Sequence, residues 1–102
     1  MLVAAIQHDV VWEDPSANHA RLKPLIAEAA GAGARLVVLT EMYATGFSLA
    51  ADRIAEDTTG PSVTFLSDPT VAHGLWITGS VPVRDRQDPL PVNRMVVAGP
   101  EG

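Results

Sequence analysis

The chain has 102 residues, of which 47% are hydrophobic and 19% charged, and its formal net charge is −5. This length allows one domain at most, and the composition is that of a globular chain rather than a disordered one. The seven Lys and Arg residues form no patch, which argues against nucleic-acid binding. No apolar run approaches the ~18 residues needed to cross a bilayer, and the N-terminus lacks the basic region of a signal peptide. We therefore expect a single cytoplasmic domain over residues 1–102, with no membrane or nucleic-acid partner.

The first third of the chain has the pattern of a strand, a helix and a second strand. The apolar run 2–6 is typical of a strand buried on both faces. A helix is predicted over about 17–30. Asp14 can cap its N-terminus, and Pro24 should bend it or delimit its first turn. A second buried strand is predicted over 36–39. Together these elements predict a right-handed βαβ unit with parallel strands.

The remaining residues predict short helices followed by two strands. A short helix is predicted over 50–57. A second helical stretch follows Gly60-Pro61 to about 73, and Pro69 is expected to divide it into two. Strands are predicted within 75–83 and over 92–98, with a charged loop over 84–91 between them. This order predicts an α/β fold whose sheet is covered by helices on one face. The other face should stay apolar and unsupported, so we expect the chain alone to be marginally stable or prone to associate.

The segment Leu36–Ser48, LVVLTEMYATGFS, places one carboxylate shortly after the second strand. Glu41 should thus lie at the carboxyl end of a parallel strand, where α/β sheets bind their ligands. An apolar run precedes Glu41 and Met42 and Tyr43 follow it, so its carboxylate is predicted to be partly desolvated, as suits a general base. On position alone, a carboxylate that caps a helix or braces a loop is the commoner explanation.

The residues around Glu41 resemble the first catalytic segment of the nitrilase, or carbon–nitrogen hydrolase, superfamily. Its members carry a strand that ends in Glu, then an aromatic residue and Thr-Gly-Phe or a close variant, as in VVLTEMYATGFS. Within the superfamily this segment is most similar to the ω-amidases, which act on keto-acid amides. The similarity covers nearly all of this chain, which corresponds to less than half of a complete family member. It extends through Ala4–Gln7, Asp14–Pro15, Gly79–Pro82, Asn93 and Gly99–Gly102. It implies the N-terminal part of an α-β-β-α sandwich.

The resemblance also implies a Glu-Lys-Cys triad. In that triad the Cys attacks the amide or nitrile carbon, the Glu takes the thiol proton and the Lys stabilises the oxyanion. Glu41 matches the Glu, whereas this chain contains no Cys and the family's Lys and Cys are expected beyond its end. The single lysine, Lys23, is interpreted as a solvated charge on the first helix, and no serine has a nucleophile-elbow context. We therefore expect the chain alone to be inactive.

Tyr43 and Phe47 flank Glu41 on the loop after the strand. In the family this loop helps to wall the pocket, so both are candidate substrate-binding residues, although packing in the core explains them equally well. Asn93 opens a strand and is expected to bond to a loop backbone. The three His residues show no ligand-like spacing with Asp or Glu, so we expect no metal and no cofactor. The partners expected for a complete member are a small amide substrate and further copies of itself.

Two alternatives to an amidase are a binding module and a flavodoxin-like domain. A non-catalytic α/β module derived from the same family would bind a partner or a small amide without turning it over. A small flavodoxin-like domain is disfavoured, because Gln7-His8-Asp9 follows the first strand where a Gly-rich or Ser/Thr-rich phosphate loop would stand.

Overall fold

The computed structural model of the chain describes residues 1–87 and 90–101. The α/β class predicted from the sequence is confirmed. The predicted loop over 84–91 and the closing turn over 99–102 each include residues that lie outside the described part. The described elements, in chain order, are β1 (Leu2–Ile6), α1 (Pro15–Gly31), β2 (Ala34–Leu39), α2 (Ala51–Ile54), β3 (Glu56–Asp57), α3 (Pro61–His73), β4 (Trp76–Arg84) and β5 (Val92–Ala98).

The strands of the described chain form one mixed sheet with β4 at its centre. β1 pairs with β2, and β2 pairs with the first half of β4, all in parallel, which confirms the predicted βαβ unit. β3 lies parallel to the far end of β4, where Glu56 is opposite Val83. β5 runs antiparallel along the other edge of β4, from Ala98 opposite Ile77 to Val92 opposite Val83. The second half of β4 is therefore flanked by β3 and β5.

One face of the sheet carries the hydrophobic core. α1 and α3 pack against each other and against the strands, and both contribute to the same buried cluster. Strand side chains that point to the helices are buried, whereas several on the opposite face are exposed, as the order of elements predicts. The core cluster includes Leu22, Ile26, Val37, Leu39, Leu66, Ile77, Val81 and Val83. The exposed apolar side chains of the strands include Val3, Trp76, Met95 and Val97.

α1 is one helix that passes through Pro24. Its N-terminus is capped as predicted, because Asp14 Oδ1 accepts a hydrogen bond from the Ala17 N–H at 3.1 Å. Pro24 lies in the interior of the helix, so the expectation that it delimits the first turn is wrong. Pro24 itself is exposed, and burial of Leu22 and Ile26 on either side of it keeps the helix against the sheet.

α3 is also a single helix, so the predicted division at Pro69 is wrong. An interior proline costs a helix about 3 kcal/mol. Leu66 and Thr70, which lie before and after Pro69, are both fully buried, and their packing holds the two halves in line. The helix ends at Gly74, whose φ of 65° is the left-handed conformation that favours glycine.

The region predicted as one short helix over 50–57 contains a single helical turn, α2, followed by strand β3. Glu56 lies outside α2, and its carboxylate caps the N-terminus of α3. It accepts hydrogen bonds from the Ser62 N–H at 2.7 Å and from Ser62 Oγ at 2.6 Å. A carboxylate at a helix N-terminus is favoured by the unpaired N–H groups there.

His19 joins α1 to α3. Its ring stacks on Phe65 with centroids 4.4 Å apart, and its Nε2 lies 3.1 Å from Ser62 Oγ. Burial lowers the pKa of His19, and the nearby Glu56 carboxylate opposes this in part. The folded chain therefore favours the neutral ring more than the unfolded chain does.

This lowered pKa predicts that acid destabilises the fold through His19. The unfolded chain binds more protons once the pH falls below the ordinary histidine value of about 6.5. Stability contributed by neutral His19 is thus present above that pH and is lost as the pH falls through it. We expect the urea midpoint of the wild type to drop more between pH 7.5 and pH 5.5 than that of His19→Gln. Parallel drops in the two proteins would contradict this.

Candidate active site

Glu41 lies where the sequence predicts it, shortly after the carboxyl end of β2. The next residue, Met42, has a φ of 53°, a left-handed conformation that is uncommon for a residue other than glycine. The Met42 N–H donates to Ser80 Oγ of β4 at 2.8 Å. The Gly46 N–H closes the following turn by donating to the Met42 carbonyl, also at 2.8 Å. The backbone beside Glu41 is therefore attached to the central strand of the sheet.

The Glu41 carboxylate is held by Asn93. The Nδ2 of Asn93, in β5, donates to Oε2 of Glu41 at 2.8 Å. This contact corrects the expectation that Asn93 bonds to a loop backbone. Glu41 and Asn93 are both exposed in this chain, so water has access to the bond.

A shallow depression of about 260 Å³ opens beside Glu41. Most of its lining is apolar, and its polar groups include the Glu41 carboxylate and the Ser80 hydroxyl. It is a place where a small molecule can meet a carboxylate on the open face of the sheet. The lining residues are Val38, Leu39, Glu41, Thr78, Gly79, Ser80 and Met95.

The predicted desolvation of Glu41 is not present in the described chain, because its side chain is exposed. The apolar neighbours that motivated this prediction point elsewhere. Met42 and Tyr43 are buried, at 7% and 0% exposure, and the turn at Met42 separates their side chains from that of Glu41. Because of this turn, Glu41 is exposed although Met42 and Tyr43, which follow it in sequence, are buried.

Tyr43 is part of the core in this chain, which is one of the two roles predicted for it. Its hydroxyl donates to the Ser62 carbonyl, and its ring centroid lies 6.0 Å from that of Phe65. Burial raises the pKa of Tyr43 well above its ordinary value; the Glu56 carboxylate acts in the same direction and the bond to Ser62 opposes it. No part of the residue is left exposed to touch a substrate.

Phe47 is 64% exposed, and it is absent from the described lining of the depression beside Glu41. The structure thus brings Glu41 to the depression but separates it from Tyr43 and Phe47. A contact between Phe47 and a substrate remains a prediction.

Two polar contacts that the sequence did not predict brace the loop after Glu41. Glu13, with a φ of 52°, accepts hydrogen bonds from Arg53 Nε at 3.0 Å and from Ser48 Oγ at 2.8 Å. Hydrogen bonds from Arg53 and Ser48 lower the pKa of Glu13. The Glu13 N–H also donates to the Thr45 carbonyl at 2.9 Å. These bonds tie the segment after β1 to the loop that begins at Glu41.

Asn18 makes the second brace from inside the core. It is fully buried, and the two N–H groups of its Nδ2 are shared among three carbonyls, those of Ala44 at 2.6 Å, Val11 at 2.8 Å and Asp14 at 3.0 Å. Its Oδ1 accepts the Val11 N–H at 2.8 Å. A polar residue at a helix position that spacing assigns to the buried side was the available signal for this role.

Among residues 1–87 and 90–101, no group of three or more His, Cys, Asp or Glu residues could hold a metal ion. Within the same ranges, no helix has both the length and the apolar character needed to cross a membrane.

Two relatives show which proteins this chain is similar to. A nitrilase of Pyrococcus abyssi (strain GE5 / Orsay) is 32% identical over an alignment of 108 residues. This alignment covers 98% of this chain and 39% of the relative. A CN-hydrolase superfamily protein of Xanthomonas campestris, solved with an arsenic adduct in its active site, matches with a TM-score of 0.87 at 34% identity. That match covers 97% of this chain and 36% of the other. The chain thus spans well under half the length of either relative.

More distant solved structures share the fold. An N-terminal amidase matches with a TM-score of 0.83 at 15% identity, covering 97% of this chain and 25% of that one. An amidase from Nesterenkonia sp. matches with a TM-score of 0.66 at 18% identity, covering 93% and 36%. The family model described as carbon-nitrogen hydrolase matches residues 2–102. Because this match extends over nearly the whole chain, the protein belongs to the carbon–nitrogen hydrolase family, the nitrilase superfamily.

Proposed function

We propose that this chain supplies the general base, Glu41, of an ω-amidase-like enzyme that hydrolyses the amide of a small keto acid to a carboxylate and ammonia. One observation carries the proposal. Glu41 follows the carboxyl end of β2 with its carboxylate exposed beside a depression on the open sheet face. A structural carboxylate that braced a loop or capped a helix would instead accept hydrogen bonds from nearby backbone N–H groups, as Glu56 does at α3.

The proposed reaction needs a thiol and a lysine from residues outside this chain, which has no Cys and whose one lysine, Lys23, lies on α1. The thiol gives its proton to Glu41 while its sulfur attacks the amide carbon. The lysine stabilises the negative charge that develops on the amide oxygen. The proton passes from Glu41 to the leaving nitrogen, ammonia departs, and water hydrolyses the thioester to release the acid.

The size of the depression and the exposure of Glu41 fit this assignment. The depression of about 260 Å³ has room for a small acid amide. The exposed apolar side chains of the strands, including Trp76 and Met95, form a surface that a further layer of protein would cover. Such a layer would also remove water from Glu41, which a general base in a dry site requires.

The test is a chimera in which residues 2–102 replace the matched segment of the Xanthomonas campestris protein. As a family member, that protein is expected to supply the lysine and the cysteine. Ammonia release from amides of short 2-oxo acids is measured. We expect Glu41→Gln to lower kcat/KM about 10³-fold, the scale on which a general base contributes. Glu28→Gln, the same change at an exposed site on α1, should leave kcat/KM unaltered.

A folded chimera in which Glu41→Gln keeps its activity would overturn the proposal, as would one that hydrolyses no amide. If the first chimera does not unfold cooperatively, the Pyrococcus abyssi nitrilase provides a second host. The 102-residue chain by itself should show no turnover above its Glu41→Gln variant. Turnover above that control would contradict the thiol mechanism.

The absence of Cys favours one other candidate, a non-catalytic module that binds a partner or a small amide. Genomic sequence after codon 102 discriminates between the two. Segments that bear a lysine and a cysteine, in frame or after a frameshift, support the enzyme, and unrelated sequence supports the binding module.

A further inference from the structure

We propose that Asn93 is a positioning residue for Glu41. Its side-chain amide fixes Oε2 of the carboxylate and thereby assigns Oε1 as the oxygen that accepts the thiol proton. This inference rests on the proposed role of Glu41 as the general base.

The contact has the geometry of a directed hydrogen bond. Nδ2 of Asn93 lies 2.8 Å from Oε2 of Glu41, the length expected when an N–H group donates to a charged acceptor. The two residues are 52 positions apart in the chain. Asn93 lies in β5 opposite Pro82 of β4, and β4 separates β5 from β2, so its amide extends over β4 to reach Glu41. Such a contact is set by the pairing of β4 with β5.

A second contact makes the attachment rigid. Ser80 Oγ accepts the Met42 N–H at 2.8 Å, and Ser80 lies two residues before Pro82 in β4. Glu41 is therefore held at its backbone through its neighbour Met42 and at its carboxylate by Asn93. A free Glu side chain rotates about three bonds, and fixing both ends removes conformations in which the carboxylate misses the thiol. Pre-ordering of this kind is a large part of how enzymes lower a barrier.

The amide of Asn93 orients the carboxylate without adding a charge to the site. Among the ion pairs of the described residues, none includes Glu41. The lysine of the proposed reaction acts on the amide oxygen of the substrate, whereas Asn93 acts on Oε2 of Glu41. The bond from Asn93 can persist when the other oxygen, Oε1, is protonated.

The contact is tested first in the 102-residue chain itself. In the ¹⁵N-labelled protein, the side-chain amide resonances of Asn93 should move clearly in Glu41→Ala. They should stay in place in Glu28→Ala, which removes an exposed carboxylate from α1. If the chemical shifts of the Asn93 side-chain amide stay the same in Glu41→Ala, the proposal is overturned, because the bond is then absent in solution.

The functional test uses the chimera with Gln, Ala and Asp at position 93. We expect kcat to fall in the order Asn, Gln, Ala, Asp, with Asn93→Ala about tenfold to a hundredfold below the wild type and KM within about twofold. Gln keeps an amide donor on a longer arm. Asp has the shape of Asn but repels the carboxylate. Alkylation of the active-site thiol by iodoacetamide should slow in the same order.

A purely structural Asn93 would give a different order, because the isosteric Asp would then be the mildest change. That result overturns the proposal, and the comparison of Gln with Asp decides it independently of Asn93→Ala. Arg94→Ala, at the next exposed residue of β5, should leave kcat within about twofold. If Glu41→Gln abolishes activity and Asn93→Ala does not reduce it, only the positioning role fails. If Glu41→Gln keeps activity, the proposed function fails as well.

Discussion

Replacing Asn18 by Ala is expected to remove most of the stability of the fold at 25 °C. Asn18 is fully buried, and its Nδ2 and Oδ1 lie within hydrogen-bond distance of four backbone groups. Alanine removes all of these partners at once, and a buried polar group without a partner costs about 1–3 kcal/mol. We expect a total loss of roughly 4 kcal/mol, which is most of the stability of a domain at the weak end of the usual range.

Far-UV circular dichroism and urea unfolding measure this effect. Asn93→Ala is the matched control, because it is the same change at an exposed asparagine and should alter the free energy of unfolding by about 0.5 kcal/mol. Similar losses in both variants would show that Asn18 does not hold the loops as described. Since Asn18 bonds to the Ala44 carbonyl, a partly folded variant should also lose the arrangement of the loop that carries Glu41.

The βαβ unit and the position of Glu41 could be predicted from the sequence because both depend on local patterns. The apolar runs of β1 and β2 are of strand length, and Asp14 caps the helix between them. An acid that follows such a strand must lie at the ligand-binding edge of a parallel sheet. The local rule was wrong at Pro69, where burial of Leu66 and Thr70 outweighs the helix-breaking tendency of proline.

The surroundings of Glu41 could not be predicted because they depend on contacts that are distant in sequence. The bond from Asn93 requires the register of β5 on β4, and the segment between these strands is too long to set it as a tight hairpin does. The directions of Met42 and Tyr43 depend on a turn with positive φ at Met42, which ends the alternation of the strand. A non-glycine residue at such a φ has no clear signature in the sequence.

Replacing Tyr43 by Ala is expected to destabilise the fold by about 4 kcal/mol, the scale found when a buried aromatic is truncated to alanine. Tyr43 is fully buried, and its ring lies 3.0 Å from where a Cβ at Gly79 would stand, so it fills space that Gly79 leaves open. Tyr43→Phe keeps the ring and removes the bond to the Ser62 carbonyl, which should cost about 1 kcal/mol.

Phe47→Ala is the matched control on the same loop, because Phe47 is 64% exposed and its truncation should change the free energy of unfolding by about 0.5 kcal/mol. The two aromatic residues on either side of the Thr45–Gly46 turn thus predict opposite phenotypes. Truncating Tyr43 should lower the urea midpoint, whereas truncating Phe47 in the chimera should alter KM if the residue touches substrate. Equal urea midpoints for Tyr43→Ala and Phe47→Ala would remove Tyr43 from the core and return it to the candidate substrate contacts.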